Sequence, residues 1–348
     1  MKKNSMSLRG ASISERRSNL VILSFGIASL ALAMTTIVLP AHAAPLFPPQ
    51  GQVQIILTPE FPEPNQAVTV TAQSFSFDLD TTFLSWSSNG KNVTSGKGVK
   101  SYSFNTGPAG SLHRVSVSAN AKGTTFSDTL SFRVSDILLT WEAQTYTPPG
   151  YRGRALPTSG ALVRVYAFPE LFVSASQTAN PDNLVYQWRL DDQDMRDQSG
   201  RGKKSFSLRA ANGKGVTHRV SVMVTSEDKS ASVFAKTDIR VEDPHVLFYE
   251  DKTLEGPRYE RSSLQFSVAA GEELRLRTEP YFFLIGSIDA LSYRWHVNGR
   301  LVEDASKPRQ FLLRTERGSK GIHHAALDIE NPFQLFQRGN GSVIINVQ

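Results

Sequence analysis

A tryptophan cassette that occurs three times constrains the fold of this chain more than any other feature. The three tryptophans are 102 and 107 residues apart, at Trp86, Trp188 and Trp295. A second block begins 27, 30 and 28 residues after them with a histidine, at His113, His218 and His323. A period of about a hundred residues matches one small domain and is too long for a solenoid repeat. The sequence therefore predicts three tandem domains of one fold.

Apolar and polar residues alternate on the segment that carries each tryptophan. Leu184, Tyr186 and Trp188 share one face of a strand, because alternate residues point to the same side. The same alternation surrounds the other two tryptophans and continues in the histidine blocks. We therefore expect these six residues to be structural core residues: Trp86, Trp188, Trp295, His113, His218 and His323. The histidines could instead be ligands or bases, but a hydrogen-bonded buried imidazole is the commoner arrangement.

Turn signals follow each tryptophan at the same distance. Three and four positions later stand Asn89-Gly90, Asp191-Asp192 and Asn298-Gly299. Asn-Gly favours a two-residue hairpin turn because both positions need positive φ. Near the C-terminus, Asn340-Gly341 likewise predicts a hairpin turn before a last strand at 342–347. Because no long helical stripe occurs after the leader, repeated short strands indicate an all-β chain.

The first 43 residues have the pattern of an export signal. A basic start is followed by an uncharged apolar run over residues 20–39 and by a small-x-small site at residues 41–43. We expect cleavage after Ala43; the alternative is an uncleaved membrane anchor, since 20 apolar residues can span a bilayer. Residues 44–52 form a Pro-rich lead-in. The domain limits that follow are 53–136, 137–243 and 244–348.

Charge and cysteine content exclude several classes of function. The formal net charge is +6, but the leader holds five basic residues and one acidic residue. The remainder holds 33 basic and 31 acidic residues, without the basic stripe that nucleic-acid binding requires. The chain has no cysteine, which excludes thiol catalysis and thiolate zinc sites. Each domain must therefore be stabilised by its own apolar core.

These patterns resemble a known architecture. A core tryptophan, a hairpin directly after it and a late strand of alternating valines are similar to the immunoglobulin (Ig) sandwich. The layout over residues 51–348 resembles the bacterial Ig-like and PKD-like domains that occur in tandem on exported surface proteins. It lacks the paired cysteines of antibody domains and the Gly-Asp-Gly turn of PKD domains. The resemblance implies three tandem Ig-like β-sandwiches in an extracytoplasmic protein of the cell surface or envelope.

The same resemblance implies a function without catalysis. We expect a rigid spacer and interaction or adhesion module, because no Gly/Ser-rich tether separates the domains. An accessory role in a pilus or secretion assembly is one form of it. The expected partner is a protein or glycan at the cell surface, not nucleic acid. Membrane contact is expected only through the N-terminal segment, if it stays uncleaved.

Two aromatic stretches are the candidate ligand or partner site. They contribute Phe168 and Phe172, and Tyr281, Phe282 and Phe283. Aromatic side chains beyond a strand end could form a sugar-stacking platform or a protein contact. The alternative is burial under long loops or between domains. A carbohydrate-binding protein is therefore the second hypothesis, and a hydrolase with hidden carboxylates is the least favoured one.

Other candidate sites are weak. The acidic run at 191–197 resembles a calcium loop but lacks its sixth-position glycine and twelfth-position glutamate, so we expect a solvated turn. Acids also cluster at the two domain junctions and could hold calcium: Asp136, Glu142, Asp243, Glu250 and Asp251. The Gly-Lys-Gly and Gly-Arg-Gly segments precede strands rather than helices, which indicates plain turns. We predict no catalytic residue, metal or cofactor.

Overall fold

The computed structural model describes residues 52–302 and 307–348. The expected signal or anchor at residues 1–43 lies outside the described residues, as does all but the last residue of the lead-in. Among the described residues, no helix is long and apolar enough to cross a membrane. Nearly every element is a β-strand; the exceptions are three short 3₁₀ helices at Pro181–Asn183, Arg196–Gln198 and Ile285–Ala290.

The first sandwich has seven strands. They are β1 Val53–Thr58, β2 Ala67–Ser74, β3 Phe83–Ser88, β4 Lys91–Lys97, β5 Ser101–Asn105, β6 Leu112–Ala121 and β7 Thr124–Arg133. One sheet has the order β1-β2-β5 and the other β4-β3-β6-β7. All pairs are antiparallel. The two sheets bury their alternating apolar residues against each other.

The second sandwich has eight strands. They are β8 Asp136–Ala143, β9 Leu162–Glu170, β10 Val185–Leu190, β11 Gln193–Asp194, β12 Gly200–Arg201, β13 Ser205–Arg209, β14 Thr217–Thr225 and β15 Ser232–Arg240. The sheet β13-β9-β8 faces the sheet β11-β10-β14-β15, and β12 pairs with β10. Its strand order repeats that of the first sandwich. A long loop at 144–161 joins β8 to β9.

The third sandwich has nine strands. They are β16 His245–Lys252, β17 Gly256–Pro257, β18 Gln265–Val268, β19 Glu273–Tyr281, β20 Ser292–Val297, β21 Arg300–Leu301, β22 Gln310–Arg314, β23 Gly321–Glu330 and β24 Arg338–Val347. The sheets have the orders β17-β16-β19-β22 and β18-β24-β23-β20-β21. Strand β18 pairs with β24 in parallel. The first part of this sandwich thus contributes β16 to one sheet and the shorter β18 to the other.

The three cassette tryptophans lie in separate cores. Trp86, Trp188 and Trp295 are buried in three distinct apolar clusters, one per sandwich. The predicted all-β class with three tandem Ig-like sandwiches is therefore confirmed. The indole N–H donates to a backbone carbonyl further along the chain: Trp86 to Val99 at 2.8 Å, Trp188 to Lys203 at 2.8 Å and Trp295 to Pro308 at 3.0 Å. The bond satisfies a polar group that burial would otherwise leave unpaired.

The three predicted hairpin turns are present. Both turn residues have positive φ in every copy, with values of 48° and 80° at Asn89-Gly90. The first turn residue also accepts, through its side-chain oxygen, the amide of the residue after the histidine: Asn89 from Arg114, Asp191 from Arg219 and Asn298 from His324. The turn is thereby fixed to the histidine strand in all three sandwiches.

The predicted turn at Asn340-Gly341 is wrong. Both residues lie inside β24, which is continuous from Arg338 to Val347. A Cβ on Gly341 would stand 2.7 Å from the ring of Phe248 and 3.0 Å from the Val246 carbonyl. The glycine is therefore required by the close approach of β16, not by a turn. The chain reverses earlier, at 331–337.

Candidate functional site

The second and third sandwiches are joined by main-chain hydrogen bonds. The Tyr146 amide donates to the Phe283 carbonyl at 2.7 Å, and the Phe282 amide donates to the Tyr146 carbonyl at 2.7 Å. These bonds form a short antiparallel bridge between the segments that follow β8 and β19. Strand-like pairing fixes two backbones in both separation and direction. The junction is therefore part of the folded structure rather than a linker.

A buried threonine provides a second connection. The Thr158 hydroxyl donates to the Phe282 carbonyl at 2.7 Å and accepts from the Gln337 side-chain amide at 2.7 Å. The Gln337 side-chain carbonyl accepts in turn from Asn331 Nδ2 at 2.8 Å. Thr158, Gln337 and Asn331 are all buried. Because each of these polar groups has a hydrogen-bond partner, the network specifies how the two sandwiches pack and leaves none of these buried groups unpaired.

The centre of the junction is a buried carboxylate. Glu279 is 0% exposed and accepts hydrogen bonds on both oxygens. Oε1 accepts from Arg277 Nε at 2.9 Å and from the Tyr259 hydroxyl at 2.9 Å. Oε2 accepts from the Tyr146 hydroxyl at 3.0 Å and from Arg309 Nη2. We call these five residues the Glu279 cluster; Tyr146 comes from the second sandwich and the other four from the third.

The tyrosines of the Glu279 cluster stay protonated. Burial, together with the bond to the Glu279 carboxylate, raises the pKa of Tyr259 to about 12. Burial also raises the pKa of Tyr146. Both hydroxyls therefore remain donors at physiological pH. A buried carboxylate is stable only when paired and hydrogen-bonded, so the four donors explain how Glu279 is accommodated.

An aromatic cluster packs beside the carboxylate. Tyr249, Tyr281 and Phe282 are buried together, and Leu156 of the second sandwich packs against them. The hydroxyls of Tyr249 and Tyr281 are 2.6 Å apart. Phe282 has a φ of 67°, a left-handed conformation that costs a bulky residue about 1–3 kcal/mol. Its amide and carbonyl both bond to the second sandwich, so the junction holds this strained residue in place.

The predicted aromatic site does not come together. Tyr281, Phe282 and Phe283 are buried at the junction and in the third core, which is the burial alternative and not the sugar-stacking platform. Phe168 is 57% exposed on β9. Phe172 follows β9, and its ring would lie 3.1 Å from a Cβ on Gly110 of the first sandwich. These two residues therefore lie at the opposite end of the second sandwich.

The three histidines lie at equivalent corners. His218 Nε2 accepts from the Ala211 amide at 3.0 Å, and its Nδ1 is 3.1 Å from Asp191 Oδ2. His113 Nε2 accepts from the Gly107 amide at 3.3 Å. His323 Nδ1 is 3.2 Å from Asn298 Nδ2. Each ring thus contacts the hairpin turn or the loop before its strand, and two of the three bind a backbone amide.

The His113 ring predicts a pH dependence of stability. Burial lowers the pKa of His113 below 6.5. The neutral form therefore contributes stability that is complete above pH 6.5 and is lost as the pH falls through the folded-state pKa. Protonation of Nε2 would also break the bond from Gly107. We expect the melting temperature of the first sandwich to fall as the pH is lowered from about 7 through the depressed pKa of His113.

The matched variants for this test are His113→Gln and His324→Gln. His113→Gln removes the titrating group and should flatten the pH profile of the first sandwich. His324 is exposed on the third sandwich, so its replacement should leave that profile unchanged. Scanning calorimetry at a series of pH values measures both. If the melting temperature of His113→Gln depends on pH as steeply as that of the parent chain, other groups control the pH dependence of unfolding.

Three of the five acids at the junctions contact other side chains of the protein. Asp243 pairs with Lys214 at 3.5 Å, and Glu250 with Arg258 at 3.6 Å. Glu142 accepts from the Tyr166 hydroxyl at 2.8 Å. In the acidic run, Asp194 pairs with Arg189 at 2.6 Å. Across residues 52–302 and 307–348, no three His, Cys, Asp or Glu side chains converge as metal ligands.

Sequence reasoning missed the residues that build the junction. Glu279, Thr158, Gln337 and Tyr146 are not among the predicted site residues. Their partners are far away in sequence, with Tyr146 and Glu279 separated by 133 positions. The one local signal is Glu279 itself, an acid followed at once by the apolar stretch from Pro280 to Phe283.

Comparisons with known proteins find only distant similarity to solved structures. No family model matches the sequence, and no curated protein resembles it in sequence. Three domains of the Highly Immunogenic Outer Capsid protein of bacteriophage RB49 align over 85% of this chain and 98% of theirs, at 11% identity and a TM-score of 0.25. The Bacteroides ovatus glucan-utilization protein SGBP-B, solved with a heptasaccharide, aligns over 88% of this chain and 69% of its own. The sequence identity is 13% and the TM-score is 0.22. Extracellular domains 3–5 of Drosophila OTK align over 82% and 92%, at 8% identity and 0.20.

Proposed function

We propose that this chain is an exported, non-enzymatic spacer and interaction module of the cell surface or envelope. In this proposal the second and third sandwiches act as one stiff unit that holds binding surfaces at a fixed distance from the rest of the chain. Its partner is a protein or glycan at the surface. An accessory role in a pilus or secretion assembly is compatible with the same arrangement.

The observation that supports this proposal is the Glu279 cluster. A carboxylate that is fully buried cannot reach a substrate, so the most unusual charged group of the described residues is suited to structure rather than catalysis. Tyr146 binds it from the second sandwich while Arg277, Tyr259 and Arg309 bind it from the third. Bending the junction would separate these groups and leave a buried charge with fewer partners, which is costly. The junction therefore resists bending.

A double-label distance measurement tests the stiffness. The chain has no cysteine, so spin labels can be placed at Lys236→Cys and Lys320→Cys, two exposed residues on the second and third sandwiches. We expect one narrow distance distribution in the parent chain. Tyr146→Phe removes the hydroxyl bonds to Glu279 and Arg309, and should broaden the distribution. A distribution that is broad in the parent chain would refute a stiff junction.

Tyr166→Phe is the matched control. The Tyr166 hydroxyl also bonds to a glutamate, Glu142, at 2.8 Å, but within one sheet of the second sandwich and in contact with solvent. The same chemical change should therefore leave the distance distribution unaltered.

The proposed export is tested by recovering the protein from its cells, measuring its intact mass and cross-linking it to its neighbours. An intracellular chain with an intact leader would contradict it.

A further inference from the structure

The loop between β23 and β24, residues 331–337, carries exposed apolar side chains; we call it the tip loop. Phe333 is 77% exposed, Leu335 74% and Phe336 58%. Single exposed apolar residues are ordinary on protein surfaces, whereas three large ones within four positions form a patch. Ile285 is also exposed, and its neighbour Leu284 donates its amide to Gln337 Oε1 at 3.2 Å. The patch therefore extends toward the adjacent loop.

The polarity of the tip loop is inverted relative to a loop that faces water. Two of its three polar residues, Asn331 and Gln337, are buried, and their side chains bond to each other at 2.8 Å. The third, Gln334, is half-buried, with its side chain against Gly160 of the second sandwich. Gln337 continues to Thr158 in the second sandwich. The amides thus fix the base of the loop, while the phenyl and isobutyl groups point outward. A surface loop ordinarily places these two classes of side chain the other way round.

Four of the six backbone amides of the tip loop are paired within the loop, and those of Leu335 and Phe336 are not. The Asn331 amide donates to the Gln337 carbonyl at 3.0 Å, the Gln334 amide to the Asn331 carbonyl at 3.1 Å, and the Gln337 amide to the Gln334 carbonyl at 2.9 Å. The Phe333 amide donates to Asn331 Oδ1 at 3.0 Å. The four paired amides can leave water without losing hydrogen bonds, and the other two can stay hydrated at the level of the lipid headgroups.

Charge around the tip loop is placed to suit a bilayer. Residues 331–337 contain no charged side chain. Arg338 follows directly, is exposed, and donates through Nε to the Leu335 carbonyl at 3.2 Å. A basic residue behind an apolar tip can remain with lipid phosphates while the tip enters the acyl region. Glu330, on the other side, is neutralised by Arg294 at 2.6 Å.

We propose that the tip loop is a membrane-contact element that inserts Phe333, Leu335 and Phe336 into the interface of a phospholipid bilayer. A bilayer fits better than a protein partner because protein interfaces surround their apolar centre with polar hydrogen-bonding groups. Here Asn331 and Gln337, which could supply such groups, are turned inward, and the Gln334 side chain lies against Gly160 of the second sandwich. The proposal goes beyond the spacer function and does not rest on it, since insertion depends on the exposed side chains of the loop and the spacer function on the stiffness of the junction.

The test uses a probe that reports on the tip alone. In the full chain, Leu335→Cys is labelled with the environment-sensitive fluorophore NBD, which has a single site because the native chain lacks cysteine. Vesicles of phosphatidylcholine and phosphatidylglycerol are added. We expect a blue shift of the NBD emission and quenching by nitroxide-labelled lipid. Leu254→Cys is the matched control, a 98% exposed leucine in the turn between β16 and β17 of the same sandwich, whose probe should stay in water.

This control separates tip insertion from attachment through the leader. A leader that anchors the chain would bring both probes near the vesicle without burying either one. With Phe333→Ser and Phe336→Ser added, half-maximal blue shift should need at least about a hundredfold more lipid. The circular dichroism spectrum should not change, because both side chains are exposed. A probe at 335 that stays in water with these vesicles, or that is shielded only when another protein is present, would overturn the proposal.

Discussion

Replacement of Glu279 by Gln is expected to destabilise the third sandwich by about 3–5 kcal/mol, the usual cost of removing one member of a buried ion pair. The change keeps the size of the side chain and removes its charge. Arg277 and Arg309 would then be left near the junction without their counterion. Since Tyr146 reaches the same carboxylate from the second sandwich, we also expect unfolding of the two sandwiches to separate into two steps. Calorimetry of the full chain measures both effects.

Glu273→Gln is the control on the same strand. Glu273 accepts from Arg275 at 3.0 Å and from Arg314 at 3.1 Å, so it too is a β19 glutamate bound by two arginines. It is open to solvent, and water screens exposed ion pairs. We expect no separation of the transitions in this variant. Equal effects of the two replacements would show that burial of Glu279 does not control the junction.

Replacement of Trp188 by Ala is expected to lower the free energy of unfolding of the second sandwich by about 3–5 kcal/mol, as for other large core aromatic residues. The indole stacks on Phe206 with 5.6 Å between ring centroids, and its N–H donates to the Lys203 carbonyl. The variant loses the packing and leaves that carbonyl without its donor. A single domain has only about 5–15 kcal/mol of stability in total, so much of it would be lost.

Trp141→Ala provides the comparison within the same sandwich. Trp141 is half-buried and packs at the margin of the core, with the Arg154 guanidinium 4.4 Å from its ring centroid. Its removal should cost clearly less than the removal of Trp188, because solvent can fill the space that it leaves. Denaturant unfolding followed by far-UV circular dichroism compares the two. Similar decreases in the free energy of unfolding for the two variants would mean that Trp188 is not the centre of this core.

The architecture could be predicted because it depends on short-range pattern. Alternation of period two determines which residues of a strand face inward, and it surrounds Trp86, Trp188 and Trp295 alike. The hairpin turns follow from residues that tolerate positive φ, as at Asn298-Gly299. One such signal misled: Gly341 has the composition of a turn but lies in a strand, because Phe248 needs the space that a Cβ would fill.

The junction and the tip loop depend on contacts that no local pattern contains. Tyr281, Phe282 and Phe283 form an apolar run beyond a strand, and such a run is compatible with either a ligand platform or a buried contact. Their surroundings are set by the loop at 144–161, which belongs to a different sandwich. In the tip loop, likewise, the burial of Gln337 depends on Thr158.

The sequence by itself determined that this chain forms three tandem Ig-like sandwiches, because periodicity and turn chemistry act between neighbouring residues. Only the tertiary structure decided which end of one sandwich meets the next, and with it the burial of Glu279 and the outward direction of Phe333, Leu335 and Phe336. The physical reason is that burial depends on how whole surfaces meet. Residues more than a hundred positions apart, such as Tyr146 and Glu279, become partners only after both sandwiches have formed.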